Sequence, residues 1–298
     1  MKTMILFADP VSRVLRPLLL CGFAAALVPL AVGCGGGVAT DTTVKIKRET
    51  SESAAPGKDT AGGAPKEGAP ASGFGTLKGR VVLKGDASSP KLIIAAGANV
   101  RDKETCAAVD LPNERLVLGP GNGVANVFLY LPKAPAGAKE SPVPMEEAIF
   151  DQKGCKFIPH ALLVRVGQTV LIKSDDPILH NTHSYAQKTP IPNATIKPND
   201  RKGTAIVYKR PENDPVEVKC DFHTWMIAYH LPVEHPFAAL TGPDGSFEIK
   251  DLPAGEHKFK VWHEACDGGY LSRSYSVTIK ANEETAVEIP YPKDKLKL

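Results

Sequence analysis

The most informative part of the chain is residues 216–226, which read Val216-Glu217-Val218-Lys219-Cys220-Asp221-Phe222-His223-Thr224-Trp225-Met226. Val216, Val218 and Cys220 alternate with charged residues, a pattern that predicts a half-buried strand with the thiol turned inward at its end. A His and a Met then follow Cys220 within one tight loop, at spacings of three and three. The stretch therefore predicts a strand that delivers several metal-binding side chains to one place.

Similar short strands are predicted along the rest of the chain, from about Phe74 onward. Apolar or alternating runs occur at residues 79–83, 127–131, 162–166, 169–172, 259–263 and 275–279. Strands this short, separated by frequent Gly and Pro, favour sandwiches or barrels over βαβ units. No amphipathic helix is predicted after the first 33 residues, so the fold class is all-β.

A second segment, Leu179-His180-Asn181-Thr182-His183, can complete a metal site with the 216–226 loop. A copper ion that changes oxidation state favours a thiolate, two imidazoles and a weak, long thioether. Cys220, His223 and Met226 supply three of these, and His180 is the candidate for the remaining imidazole. A tetrahedral zinc site would use the thiolate and imidazoles but not the Met. A dinuclear copper site would need a second Cys in the loop.

The region from about residue 149 to 234 resembles the plastocyanin and amicyanin family of cupredoxins. The shared features are Phe157-Ile158-Pro159, Gly167-Gln168-Thr169-Val170, Asp175, His180-Asn181 and the Cys-x-x-His-x-x-Met loop, although Trp225 precedes Met226 and the family's Pro is missing. The resemblance implies a Greek-key β-sandwich with one mononuclear type 1 copper, whose ligands are His180, Cys220, His223 and Met226. It also implies that Asn181 ties the two ligand loops together by hydrogen bonds. The imidazole of His223 is expected to reach the surface as the exit for electrons, ringed by apolar residues.

The other histidines and Trp225 are given no ligand role. His183 is expected to be a strand residue that faces away from the metal. His160, His230, His235 and His263 are expected to be surface or packing residues. Trp225 is either an aromatic at the edge of the core or an exposed contact near the copper.

The remaining cysteines suggest a disulfide, because two of them should pair in an oxidising compartment. Cys106 and Cys155 lie in loop-like stretches on either side of the 127–131 strand, and we predict that they pair. Cys266 lies in a turn and is predicted to be free, although spacing alone does not fix connectivity.

The carboxy-terminal part contains a pattern of its own, Thr241-x-x-Asp244-Gly245-x-Phe247-x-Ile249 followed by Leu252-Pro253-Ala254-Gly255. This pattern resembles the carboxypeptidase regulatory-like (transthyretin-like) β-sandwich, whose first strands resemble residues 79–81 and 125–129. We therefore predict a discontinuous sandwich of residues 74–140 and 236–298, with a copper domain of residues 141–235 inserted or fused between its parts. A single enlarged cupredoxin with extra strands is the alternative.

The amino terminus predicts export. Lys2, Arg13 and Arg16 precede a short apolar run, and small residues lead into Cys34, which is typical of a signal peptide over residues 1–33. The ending resembles a bacterial lipobox with Cys34 as the lipidated residue, while an ordinary signal peptide would make Cys34 incidental. Residues 34–73 are rich in small and polar residues and are predicted to be a disordered linker, with a span of roughly 35 Å. The expected location is the periplasmic or cell-surface face of a bacterial membrane.

Charge adds little to the functional prediction. The chain carries a formal charge of +3, and removing residues 1–33 takes away three basic residues and one acidic one, leaving +1. A nearly neutral protein gives no reason to expect a nucleic-acid partner. The leading hypothesis is a non-enzymatic electron-transfer protein with a redox partner protein. The alternatives are a copper protein for delivery or sensing, and a non-metal structural or carbohydrate-binding module.

Overall fold

The computed structural model describes residues 73–86 and 91–298, and in these ranges the all-β prediction is confirmed. The strands are β1 (Phe74–Lys84), β2 (Leu92–Ile94), β3 (Leu111–Pro112), β4 (Phe128–Tyr130), β5 (Ala148–Gln152), β6 (Phe157–Ile158), β7 (Ala161–Arg165), β8 (Thr169–Ile172), β9 (His180–Ser184), β10 (Ala194–Ile196), β11 (Thr204–Val207), β12 (Val216–Lys219), β13 (Ile227–Val233), β14 (Ala238–Leu240), β15 (Ser246–Pro253), β16 (Gly255–Trp262), β17 (Tyr270–Ile279) and β18 (Glu284–Pro292). Between β2 and β3 lies a single turn of helix, α1 (Lys103–Cys106), and three short 3₁₀ turns cover Pro120–Asn122, Asp267–Gly269 and Lys293–Lys295.

The amino-terminal predictions fall outside these ranges. The signal peptide, Cys34 and almost all of the 34–73 linker precede the described residues and stay predictions. Among the helices of the described residues, none is long and apolar enough to cross a membrane.

One core joins the first and last parts of the described chain. Strand β1 pairs antiparallel with β15 and parallel with β18, and β4 pairs with β14 and β16. The two sheets, ordered β15-β1-β18 and β14-β4-β16-β17, both contribute to one apolar cluster. Strands on the two sides of residues 141–235 are therefore paired with each other. The boundaries 74–140, 141–235 and 236–298 stay predictions.

The Thr-x-x-Asp-Gly pattern forms a tight connection before β15. The Thr241 hydroxyl donates to the Val124 carbonyl at 2.7 Å and accepts from the Val127 amide at 2.9 Å. The Asp244 carboxylate accepts from the Ser246 amide at 3.0 Å. Gly245 has a φ of +80°, and a Cβ there would lie 2.5 Å from the Val81 carbonyl oxygen, so this turn requires glycine. The pattern thus explains how β1, β4 and β15 meet.

A second core lies between the sheets β10-β9-β12-β13-β7 and β11-β8-β5-β6. The pairing of β13 with β7 is parallel, and β12 is held between β9 and β13 in antiparallel register. Cys220 and Met226 belong to the buried cluster of this core. The candidate ligand loop is thus fixed at one end of a packed sandwich.

A third apolar cluster joins the two cores. Phe128 and Tyr130 of β4 pack with Leu231 and Val233 of β13. Nearby, the Arg165 guanidinium donates to the backbone oxygens of Ser141 and Glu234, at 3.1 and 2.9 Å. The chain therefore enters and leaves the 141–235 segment at neighbouring points.

Residues 92–112 lie within the predicted first part of the regulatory-like sandwich, a boundary that stays a prediction. Strands β2 and β3 form a small separate sheet, and Cys106 of α1 is buried in the core that contains Cys220. Ile94, Ala107 and Leu111 form a cluster that contacts Trp225. This segment packs over the candidate metal loop because its apolar residues contact Trp225 and its disulfide lies in the core around Cys220.

His160 and Glu264 form a partly buried ion pair between the two parts of the protein, with side-chain exposures of 11% and 9%. Burial lowers the pKa of His160, but the hydrogen bond and charge of Glu264, helped by Glu114, outweigh it and raise the pKa above 6.5. The pair should therefore stabilise the fold fully below about pH 6.5, and the stabilisation should be lost as the pH rises through the folded-state pKa.

We expect the loss of stability in His160→Gln to be larger at about pH 6 than at about pH 9, because the ion pair contributes only while His160 is charged. Urea unfolding of both proteins at the two pH values measures it. An equal loss at both pH values would show that the pair contributes by packing alone.

Candidate metal centre

The structure brings three of the predicted ligands together. His180 begins β9, Cys220 follows the last residue of β12, and His223 lies in the loop before β13. The side chains are buried, with exposures of 0%, 1% and 0%. Because β9 and β12 are paired through Val218 and Ser184, the end of one strand meets the start of the other at the centre.

The three donor atoms form a compact triangle. The Nδ1 atoms of His180 and His223 lie 3.1 Å apart. The Cys220 Sγ atom lies 3.9 Å from the first and 3.7 Å from the second. The point equidistant from all three lies about 2.1 Å from each, which is close to the ~2.0–2.3 Å of metal bonds to imidazole and thiolate. The donor set and its spacing therefore fit one transition-metal ion.

Met226 closes the ligand loop through its backbone. Its amide donates to the His223 carbonyl at 2.8 Å, and its carbonyl accepts from the Cys220 amide at 3.2 Å. The Met226 side chain is 2% exposed and lies in the same apolar cluster as Cys220. Its role as a weak axial ligand stays a prediction.

Each imidazole is oriented by a carboxylate on its far side. His180 Nε2 contacts Asp176 Oδ2 at 2.9 Å, and His223 Nε2 contacts Asp102 Oδ2 at 2.9 Å. An ionised carboxylate only accepts hydrogen bonds, so each Nε2–H donates and each Nδ1 can present its lone pair to a metal. These contacts select the tautomer that a metal site at the triangle requires.

Asp176 is itself held by backbone amides. Gly154 and Cys155 donate to its two carboxylate oxygens at 2.6 and 2.9 Å. Burial raises the pKa of Asp176, but the hydrogen bonds from His180, Cys155 and Gly154 outweigh it and lower the pKa below its ordinary value. The carboxylate therefore stays charged beside His180.

Without metal, Cys220 and His180 form a coupled acid–base pair. Burial raises the pKa of the Cys220 thiol, but hydrogen bonds with His180, His223 and Asn181 lower it to about 6. Burial lowers the pKa of His180, but hydrogen bonds with Asp176 and Cys220 raise it to about 9. A thiolate is the form that binds metal, so Cys220 favours its required state near neutral pH, whereas His180 would release its Nδ1 proton when a metal binds.

Asn181 joins the two ligand segments. Its Oδ1 atom accepts from the Asp221 amide at 2.7 Å and from the Cys220 thiol at 3.3 Å. Its Nδ2 group donates to the Asp221 and Asn193 side chains at 2.8 and 2.7 Å. The start of β9 and the loop after β12 are thereby fixed to each other.

The buried position of His223 corrects one expectation from the sequence. Its ring was expected to reach the surface, but it is fully buried, and Asp102 from the segment before α1 covers its Nε2 atom. Trp225 lies on the same side, half-buried, with its ring 5.3 Å from the His223 ring. Trp225 is therefore a packing residue at the edge of the core.

Cys106 and Cys155 are bonded to each other, and Cys266 is a buried free thiol. A second group of possible metal ligands contains Cys155, Asp176 and His180. Because Cys155 is committed to the disulfide, that group offers no complete alternative site. The Cys220 triangle is thus the metal-competent arrangement in the described ranges.

The remaining histidines lie away from the triangle. His183 is 35% exposed and contacts Asp221 at 3.2 Å. The rings of His230 and His263 are buried, and burial lowers the pKa of both to about 3. None of His160, His183, His230, His235 and His263 belongs to a cluster of possible ligands among the described residues.

A cavity of about 250 Å³ lies on the Met226 side of the centre. It is lined in part by Trp225, Met226, Leu111, Phe157 and His160. None of the three donor residues lines it. Space for a small molecule therefore exists beside the loop but does not reach the donor atoms.

Asp102 and Asp176 are the site residues that the sequence reasoning missed. Asp176 lies four residues before His180, and a carboxylate so close to a candidate ligand is a signal that could have been used. Asp102 lies 121 residues from His223, and no local pattern marks it.

Fold and site together define an all-β protein with a buried Cys–His–His centre suited to one transition-metal ion. No protein-family model and no curated protein matches the chain. Among solved structures, a purple cupredoxin from Nitrosopumilus maritimus is 20% identical, with 29% of this chain and 99% of that chain covered and a TM-score of 0.25. A reduced amicyanin variant is 18% identical, with 35% and 98% covered and a TM-score of 0.25.

A Cu-containing nitrite reductase from Thermus scotoductus is also similar. It is 20% identical, with 34% of this chain covered and a TM-score of 0.26. The chain spans 25% of that protein's length. At these identities and TM-scores, the likenesses assign the chain to no family.

Proposed function

We propose that this chain is an exported type 1 copper protein that transfers electrons and is not an enzyme. The observation that carries the proposal is the buried triangle of His180 Nδ1, His223 Nδ1 and Cys220 Sγ. One thiolate and two imidazoles, with a nearby thioether from Met226, form the set that a blue-copper site uses. In this proposal the sheets around Cys220 form a cupredoxin, and the sheets of β1 and β4 form a carboxypeptidase regulatory-like sandwich.

Copper bound at this triangle would supply reversible one-electron chemistry. The residues of the chain would hold it in one geometry, because both imidazoles are fixed through Nε2 and Asn181 binds the Asp221 amide next to Cys220. Burial of the donor side chains excludes water from the centre. Little movement of the ligands would then accompany each electron, which favours transfer over metal release.

A comparison of two rates separates electron transfer from copper delivery. We expect the copper-loaded protein to exchange electrons reversibly with a small redox reagent, much faster than it yields copper to a chelator. Stopped-flow absorption measures both rates on one sample. If copper leaves before the protein can be reduced and reoxidised, delivery is the better account.

We further propose that Cys34 carries a lipid, so that the protein faces the periplasm or the cell surface on a flexible linker and meets a redox partner protein there. Lys2, Arg13, Arg16 and the small residues before Cys34 support this proposal. Radiolabelled fatty acid should be incorporated into the exported protein and should be absent from Cys34→Ser. Equal labelling of both proteins would refute the anchor and leave the copper centre unaffected.

A further inference from the structure

Residues 92–112, which we call the cap, close the centre on the side of His223. The cap contains β2, α1 and β3. Ile94, Ala107 and Leu111 fix it to Trp225 through buried apolar contacts. Beneath the cap, the His223 ring is fully buried.

Asp102 is the part of the cap that touches a ligand. It is the residue before α1 and has a left-handed backbone, with φ of 52° and ψ of 41°. Non-glycine residues adopt this conformation uncommonly, and it persists where surrounding structure imposes it. The Asp102 carbonyl accepts the Cys106 amide at 2.9 Å, while its side chain reaches His223 at 2.9 Å. The helical turn of α1 thus positions the Asp102 carboxylate against His223.

Arg101 covers Asp102 from outside. Its Nε atom lies 3.4 Å from Asp102 Oδ2, and its guanidinium lies 5.0 Å from the ring of Phe222. Asp102 retains 35% side-chain exposure. The carboxylate therefore separates His223 from solvent.

The Cys106–Cys155 disulfide connects the Asp102–His223 contact to His180. Cys106 is bonded to Cys155, and the Cys155 amide donates to Asp176 Oδ2, the same oxygen that meets His180 Nε2. The disulfide therefore lies between the carboxylate partners of both imidazoles. A movement of the cap can therefore affect both His223 and His180 through the disulfide.

We propose that Asp102 is a positioning residue that fixes His223 for metal, and that the Cys106–Cys155 disulfide keeps the cap closed so that Asp102 can do so. This inference rests on the proposed copper function. It also implies that a redox partner docks elsewhere than on the His223 edge.

The first test uses the metal-free protein. Iodoacetamide should alkylate Cys220 slowly in the wild type and at least tenfold faster in Asp102→Ala, because the freed His223 edge opens a path to the thiol. Mass spectrometry locates the label, and buried Cys266 in the other core serves as the internal reference. Glu104→Ala is the matched control, since it removes an exposed carboxylate from α1 that makes no contact with the centre.

The second test measures copper affinity by competition with a chelator. Loss of a residue that orients a ligand typically weakens metal binding by about 10–100-fold, and we expect this in Asp102→Ala but not in Glu104→Ala. Asp102→Asn keeps an acceptor for the His223 Nε2–H, so it should bind copper more tightly than Asp102→Ala. In a Cys106→Ala/Cys155→Ala background, the additional effect of Asp102→Ala should shrink.

The outcomes separate the two proposals. If Asp102→Ala matches Glu104→Ala in both alkylation and affinity, the positioning role is refuted while copper binding stands. If the wild type binds no copper but Asp102→Ala still exposes Cys220, the copper function fails and the cap stands. If Cys266 also becomes reactive in Asp102→Ala, that variant has unfolded, and Asp102→Asn is tested in its place. Protection of Cys220 in Asp102→Asn equal to that in the wild type supports the positioning role. Alkylation of Cys220 in Asp102→Asn as fast as in the unfolded chain refutes it.

Discussion

Replacing Cys220 by Ser is expected to abolish the intense visible absorption of the copper-loaded protein. That absorption needs a thiolate that donates electron density to copper, and a serine hydroxyl, which stays protonated near neutral pH, does not supply it. The Cys220 thiol is well placed for the role because its pKa is lowered to about 6 and its Sγ atom lies within 3.9 Å of both imidazole Nδ1 atoms. Absorption spectra of the two copper-loaded proteins measure the effect.

The histidines provide the controls for this result. His180→Ala and His223→Ala should weaken or remove the band, because each deletes one corner of the triangle. His183→Ala should leave it in place, since His183 contacts the exposed Asp221 and not the donor atoms. A band that survives in Cys220→Ser, or disappears in His183→Ala, would mean that the ligands are wrongly assigned.

Removing the disulfide is expected to lower the free energy of unfolding by about 4 kcal/mol in the variant Cys106→Ala/Cys155→Ala. The bond closes a loop with a sequence separation of 49, and cross-linking restricts a long loop in the unfolded chain more than a short one. Both sulfurs are buried in the core around Cys220. Urea unfolding of metal-free protein measures the change without a contribution from copper.

Cys266→Ala is the matched control for the disulfide. It also removes a buried thiol, but one that is free and lies in the other core, so its cost should be only that of a small cavity. Mass spectrometry of non-reduced digests should show Cys106 linked to Cys155 and Cys266 available for alkylation. A link from Cys266 to either of them, or equal costs in both variants, would contradict the proposed role.

Local pattern predicted much of the fold. The alternation of Val216 and Val218 predicts β12, and the buried-looking run at 169–172 coincides with β8. These predictions succeed because the two-residue period of a strand is visible in neighbouring residues. His180, Cys220 and His223 could be selected for a similar reason, since their side-chain chemistry is distinctive and two of them share one loop.

Contacts between segments that are distant in the sequence could not be predicted from the pattern of neighbouring residues. The cap over His223 depends on the contact between Asp102 and a histidine 121 residues away, although the disulfide that holds the cap was predicted. The buried state of His223 follows from the cap, so the expectation of an exposed imidazole failed with it. No periodicity in the residues around Asp102 indicates that its carboxylate meets His223.

The central claim is that this chain binds one copper ion through Cys220, and the absorption spectrum of the copper-reconstituted wild-type protein, taken with metal analysis, tests it most directly. We predict one equivalent of copper and an intense visible band that is lost on reduction and returns on reoxidation. A colourless protein that nevertheless holds one equivalent of copper would contradict the account.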